Sequence, residues 1–408
     1  MKDFKNIIAI IMMLALAVAC SDDDDVKDPG TTDPGTSSSE LLAKKVTAAP
    51  NMDGVIDDMW SECQVLENTV KVPSAGNDSR EGHVNEGRDF FFPFVGETAD
   101  FKMRAMYDAE NLYILLEWDD AKDSYDRQSW YFADGAWSQQ NKFPATDDDR
   151  YYEDKIGVMW AAAGMDNWGG DCYETCHMGL DLEGAGGGLP ARHYTNNDGE
   201  YMDMWHWKRV RTAPFFKLDD KYVRDNDDIG SGHGGRQADG KTAGGYINNK
   251  VKLYDGTDSV NVPLYIISGQ EDYDNGFITQ AQINAGTALE VVAVDAAGVL
   301  TLSDDSTIDP SAGGFEKNTG TQRIPSVYGD IMVGGRADVS VYHSFTGSGW
   351  ITEITRKLST EETIADADGY VKDVQFNPAN EYGFGLALFN NAAVAHQIKT
   401  NLLLKFEE

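Results

Sequence analysis

Phe101-Lys-Met-Arg-Ala-Met-Tyr-Asp-Ala-Glu-Asn-Leu-Tyr-Ile-Leu-Leu-Glu-Trp118 is the stretch that decides the fold. Phe101, Met103, Ala105 and Tyr107 recur at period two, as do Leu112, Ile114 and Leu116, and Tyr107–Asn111 between them carries turn residues, so the pattern predicts a β-hairpin. Upstream, Met52-Asp-Gly-Val-Ile-Asp-Asp-Met-Trp60 sets Val55, Ile56 and Trp60 around a turn-forming Asp53-Gly54, a strand entry with an aromatic anchor. Downstream, Glu153–Trp160, Val339–Tyr342 and Trp350–Arg356 read as strands, and 266–270, 289–294 and 299–302 as shorter ones between Asp-rich loops. The polar, aromatic segment Ser124–Tyr152 reads as a long surface loop. The expected architecture is all-β: a β-sandwich over 43–408 with few short helices and long, insertion-rich loops, the main insertions at about 211–323.

The chain has 408 residues, 41% of them hydrophobic, which is ample for a large core. A net charge of -34 repels phosphate backbones and excludes nucleic acid as a partner. At the N-terminus, Lys2 and Lys5 precede an apolar run, Ile7–Val18, too short to span a bilayer permanently, and Ala17-Val18-Ala19-Cys20 resembles a lipobox. Residues 1–19 are thus expected to be a lipoprotein signal peptide and Cys20 the lipidated first residue. The acidic, Gly/Pro/Ser/Thr-rich stretch 20–42 is a solvated tether. Its Asp run directly after Cys20 resembles an export signal to the cell surface, so the expected location is the outer membrane, with display on its outer side.

Three cysteines remain, Cys63, Cys172 and Cys176. Free thiols are unusual in an oxidising compartment, which favours using Cys172 and Cys176 as a pair and leaves Cys63 as a small buried hydrophobe. In Gly169-Gly-Asp-Cys-Tyr-Glu-Thr-Cys-His-Met178 that pair stands beside His177. A c-type haem is attached when two thiols add to the porphyrin vinyl groups and the next His binds iron, with the usual spacing C-x-x-C-H. Here three residues intervene. The competing readings are a haem held without thioether bonds (b-type), a short-loop disulfide, and part of a zinc site.

A second stretch, Met202-Asp-Met-Trp-His-Trp-Lys208, supplies further ligand types. As a strand it places Met202, Met204, His206 and Lys208 on one face and Asp203, Trp205 and Trp207 on the other. His206 leads as the sixth ligand to iron with Met204 as the alternative, ahead of Met202, Met178 and Lys208. Trp205 and Trp207 read as core or as the wall of the haem pocket. His83 and His233 lie in polar and Gly-rich loops and read as loop filler. Asp366-Ala-Asp-Gly-Tyr-Val-Lys-Asp373 could seat Ca2+ but lacks the full EF-hand spacing.

Taken together, 52–60, Asn111–Trp118, Glu153–Ile156, the Cys172–His177 block, Met204–Lys208 and the late strand Glu381–Ala392 with His396 after it resemble the haem-binding domain of the ethylbenzene-dehydrogenase gamma-subunit family. The resemblance implies a β-sandwich holding one haem in a loop-lined pocket and passing single electrons, to or from a molybdenum enzyme or another cytochrome. Those subunits bind haem b through Met and Lys. This sequence departs from them by offering Cys172, Cys176 and His177, which makes His177 the better proximal ligand. The Asp-Gly-x-x-Asp-x-x-Trp opening is shared with carbohydrate-binding modules, so a surface-exposed sugar- or substrate-binding module without haem is the alternative. No acid/base or nucleophile constellation is apparent, and the expected role is electron carrier or accessory subunit, not enzyme.

Overall fold

The computed structural model describes residues 35–72, 93–142, 146, 150–162, 164–165, 195, 197, 199–224, 235–267, 276–317, 320–360 and 371–408. In chain order, β1 (Thr36–Ser37), β2 (Glu40–Lys45) and β3 (Val65–Lys71) lead to the hairpin of β4 (Thr98–Tyr107) and β5 (Asn111–Asp119). Then come β6 (Trp130–Ala133), β7 (Ala136–Gln139), β8 (Lys155–Ala161), β9 (Tyr201–Lys208), β10 (Asp219–Arg224) and β11 (Arg236–Ala238). An insertion follows with β12 (Ala243–Asn248), β13 (Val251–Tyr254), β14 (Ser259–Val262), β15 (Tyr265–Ile267), β16 (Ile278–Thr279), β17 (Ala288–Val294), β18 (Leu300–Leu302), β19 (Thr307–Ile308) and β20 (Val327–Val333). The chain ends with β21 (Ser340–Phe345), β22 (Gly349–Lys357), β23 (Tyr382–Phe389) and β24 (Gln397–Phe406). One short α-helix, Gln280–Asn284, is described, and the Thr279–Gln282 capping box starts it.

Thirteen of these strands form one sheet in the order β11-β10-β9-β8-β23-β24-β2-β4-β5-β22-β21, with β3 pairing β1, β4 and β24. The sheet folds over onto itself. Ile156, Val158, Trp160, Trp205, Trp207, Phe384 and Leu404 from one half share a core with Leu41, Phe101, Met103, Leu116, Trp118, Trp350 and Ile354 from the other. At the open side, Leu218 N donates to Val339 O over 3.1 Å and Val341 N to Phe216 O over 3.0 Å, so backbone pairing blunts edges that would otherwise be sticky. The result is the expected all-β sandwich with few helices.

The hairpin forms as its periodicity demands. Ala99, Phe101, Met103 and Ala105 of β4 face the core, and the Asp108 carboxylate accepts from Glu110 N and Asn111 N at 2.8 Å, closing the turn. β5 is buried on both faces. Leu112, Ile114, Leu116 and Trp118 enter the main core, whereas Tyr113 and Leu115 pack under Trp60, Cys63 and Met106. Cys63 is a buried free thiol whose pKa burial pushes up to about 11, consistent with a small apolar side chain.

Two departures from the sequence expectation concern the loops. Within Ser124–Tyr152, β6 and β7 form a hairpin, and Trp130, Phe132 and Trp137 join Val262, Ile266, Val291, Leu300 and Ile324 in a second core. The segment is a packed element because its aromatics meet apolar residues from the insertion, partners that no local pattern reveals. β10 falls inside the stretch expected to be inserted, yet it pairs with β9 along six residues and belongs to the main sheet. Of 266–270, Ile266 and Ile267 lie in β15, and 268–270 fall outside the described residues.

Candidate functional site

All eight residues of β9 are buried, so this strand has apolar or charged company on both faces. On the inner face Trp205 and Trp207 sit in the main core, with Trp205 5.1 Å from Trp160 and Trp207 5.1 Å from Trp350 between ring centroids. Each such aromatic pair adds about 0.5–1.5 kcal/mol beyond area burial. The two indoles are therefore core residues, and neither shares the face of His206 that a pocket wall there would require.

The outer face is ordered in rows by the register of β8, β9, β10 and β23. Ala161, Met202 and Val223 make one row, and Gly385, Met159, Met204 and Lys221 the next. Ala387, Gly157, His206 and Asp219 follow, then Phe389, Lys155 and Lys208. Met159, Met165, Met202, Met204 and Val223 form an apolar cluster of their own. Small residues in the middle rows keep the surface low, because a side chain at Gly157 would rest on Ala387 and Phe389 at 3.6 and 3.8 Å. The face thus grades from thioether sulfurs, through a bare strip and an imidazole, to a cluster of cations.

Several buried polar atoms of β9 are unpaired, the Trp205 and Trp207 indole nitrogens among them, and on the outer face the unpaired group is His206. It is 7% exposed, and neither Nδ1 nor Nε2 has a hydrogen-bond partner. Burial pushes its pKa well below the usual value, and Lys208, Lys155, Arg211 and Lys221 push it the same way, so the ring is neutral. Leaving a buried polar group unpaired costs about 1–3 kcal/mol. A neutral imidazole with a lone pair is also the form that binds a metal. Its ring stacks against Phe389, which stacks in turn against His396.

The cations are partly compensated. Lys208 Nζ forms a buried ion pair with Asp219 Oδ2, Lys221 Nζ lies 3.0 Å from the same oxygen, and Arg336 Nε pairs with Asp219 Oδ1. Burial works to raise Asp219, but these three cations overcome it and hold the carboxyl well below its usual range. Lys155 donates to Ala393 O at 3.0 Å with its ammonium 3.9 Å from the Phe389 ring centre, and burial lowers its pKa well below that of a free lysine. Lys208 is therefore engaged, whereas His206 is not.

The structure brings His206, Met204, Met202 and Lys208 to one face, as strand alternation requires. Cys172, Cys176, His177 and Met178 lie outside the described residues, as do Cys20, His83, His233 and 366–370 of the candidate calcium loop. Sequence reading assigned no role to His396 or to Asp219 and Lys221. The signal for His396 was its position just after the late strand 381–392 and before β24; Asp219 and Lys221 reach the site through β10 pairing, which left no local mark.

Two solved structures share the broad likeness of the chain. Both are carbohydrate-binding modules of family 9 from Caldicellulosiruptor kristjanssonii, one in complex with glucose and one with cellotriose. The glucose complex is 8% identical with a TM-score of 0.29, covering 90% of this chain and 94% of that one. The cellotriose complex is 9% identical with a TM-score of 0.27, covering 90% and 93%. Comparison with curated proteins gives no match. The ethylbenzene dehydrogenase family model, by contrast, matches residues 58–400, most of the chain and all of β8, β9, β10 and β23, the strands of the His206 face. The chain belongs to the ethylbenzene dehydrogenase family.

Proposed function

We propose that this chain is a haem-binding electron carrier, with the haem on the outer face of β8, β9, β10 and β23. The observation that carries the reading is His206: a buried, neutral imidazole with two partnerless nitrogens beside methionine sulfurs and a strip of small residues. These groups fit a haem. The apolar Met, Gly and Ala rows suit the macrocycle, the imidazole or the Met204 sulfur suits iron, and Lys155 suits the carboxylate of a propionate. A bound haem supplies a one-electron couple, and a Met ligand raises its potential relative to His. The chain's own residues hold the imidazole neutral, keep water from it and set cations at one end of the face.

Within this reading, His177 is the proximal ligand, Cys172 and Cys176 give the thioether bonds of a c-type site, and His206 is the distal ligand with Met204 the alternative. His206 is preferred over Lys208 because Lys208 is already committed to Asp219. Cys20 carries the lipid that anchors the chain at the outer membrane, and the partner is a redox protein, a molybdenum enzyme or another cytochrome. Among the described residues no helix is long and apolar enough to cross a membrane.

The test is the absorption spectrum of the chain expressed with haem-maturation machinery. Soret and α bands that survive acid-acetone extraction support the c-type site, and bands lost on extraction support a b-type site. A colourless protein under adequate haem supply overturns the reading, and retention of that protein on a glycan column establishes the carbohydrate-binding alternative.

A further inference from the structure

On the opposite face of β9 from His206, three carboxylates meet. Asp203 of β9, Asp220 of β10 and Asp373 are each buried, and one oxygen from each lies within 4.8 Å of the other two. The three side chains share a pattern. Asp203 Oδ2 accepts from Val374 N at 3.1 Å, Asp220 Oδ1 from Lys221 N at 3.0 Å, and Asp373 Oδ2 from Thr360 Oγ1 at 2.6 Å. The second oxygen of each, Asp203 Oδ1, Asp220 Oδ2 and Asp373 Oδ1, is buried and receives no hydrogen bond from a protein N–H or hydroxyl donor, and the Asp203 and Asp220 carboxyls lie within hydrogen-bonding reach of each other. Protein donors orient each carboxylate and leave one oxygen per residue uncommitted.

Charge points the same way. Arg356 Nη2 stands 3.3 Å from both Asp203 Oδ2 and Asp373 Oδ2 and is the cation within this group. Three carboxylates against one guanidinium leave an excess of buried negative charge, and Asp239 beside Asp220 adds to it. Unneutralised, such a cluster is costly.

We infer that Asp203, Asp220 and Asp373 bind a hard divalent cation of the Ca2+ class through their uncommitted oxygens. Calcium takes carboxylate oxygens at about 2.3–2.6 Å, so oxygens up to about 4.8 Å apart can share one ion. The ion ties β9 and β10 to the segment entering β23, and so braces the strand that carries His206 from its other side. Asp373 belongs to the stretch that sequence alone offered as a calcium loop, but its partners come from two distant strands. The site is independent of haem: it lies on the other face of the sheet and uses none of the same residues.

The experiment is Tb3+ luminescence, excited through tryptophan and displaced by Ca2+, on the EDTA-stripped full chain, with folding of every variant checked by circular dichroism. One saturable site per chain is expected. Asp220→Asn and Asp373→Asn should each weaken binding by at least about tenfold, and Thr360→Ala, which removes the hydroxyl that orients Asp373, by about 10–100-fold. Exposed Asp330→Asn should leave it unchanged. Absence of saturable Tb3+ and Ca2+ binding by the folded wild-type chain overturns the inference, as does full-strength binding in folded Asp220→Asn, Asp373→Asn or Thr360→Ala; a shared proton would then neutralise the cluster instead.

Discussion

The His206 ring stacks on Phe389 with centroids 5.9 Å apart and 27° between their planes. Phe389 stacks likewise on His396, at 4.8 Å and 26°, so one phenyl ring links two imidazoles. The two differ in their commitments. Val394 O lies 2.7 Å from His396 Nδ1, which must donate to it, whereas both nitrogens of His206 are unpartnered. A histidine kept for packing would be expected to bond like His396, so His206 is the one whose retention calls for a ligand.

Replacing His206 by Leu therefore separates stability from function. The substitution removes two unsatisfied buried atoms at similar volume, and the haem-free chain should gain about 1–3 kcal/mol in urea unfolding. A loss of stability of that size would show instead that the imidazole is a structural hydrogen-bonding group.

Acid should loosen the fold partly through His396. Burial lowers its folded pKa to about 4, against about 6.5 when unfolded. Between those values the unfolded chain binds the proton and the folded chain does not, so this contribution is complete above about pH 6.5 and is lost as pH falls toward 4. At most it amounts to about 3 kcal/mol. His396→Gln should flatten that limb of the stability profile, measured by urea unfolding from pH 7 to 4. An unchanged slope would contradict the buried neutral state. In the cation-free chain Asp203 acts in the opposite sense: its folded pKa of about 7 lies above the unfolded value of about 3.9, so its contribution is complete below about pH 4 and fades as pH rises toward 7.

The Asp-Gly-x-x-Asp-x-x-Trp opening is pinned by Glu353, deep in β22. Its Oε1 accepts from Trp60 Nε1 at 2.9 Å, and its Oε2 from Gly54 N at 2.8 Å and Asp53 N at 3.0 Å. Glu353→Gln cannot serve all three donors and should cost about 1–3 kcal/mol. Gly54→Ala should also destabilise, because Gly54 has a φ of +82° and an added Cβ would sit 2.9 Å from the carbonyl carbon of His343. Urea midpoints equal to wild type for either variant would show that the turn is held by something else.

Trp207→Ala should cost about 3–5 kcal/mol through the cavity it leaves among Trp118, Trp350 and His343. Its folded fraction should keep the haem absorption of the wild type, since Trp207 is on the inner face. A shifted Soret band in that variant would place the indole at the cofactor after all.

What was legible in the sequence follows one physical rule. Period-two alternation displayed both faces of β9 and the β4–β5 hairpin, because each residue's side is fixed by its neighbours in the chain. Features built from distant partners left no such trace. Trp130 and Trp137 looked like loop aromatics because the apolar residues that cover them, Val262 and Ile324 among them, arrive from the insertion. Asp373 stands out in the sequence as part of a candidate calcium loop, but Asp203 and Asp220 are ordinary in a chain rich in acids until the sheet brings them to it. Glu353 is one acid among many until Trp60 folds over it.

Haem titration into the wild-type chain and its His206→Leu variant, followed by the Soret band and by pyridine haemochrome content, tests the central claim most directly. One haem per wild-type chain is expected, and for the variant a shifted or lost Soret band with the fold intact by circular dichroism. Superimposable spectra and equal haem content in the two proteins would contradict it.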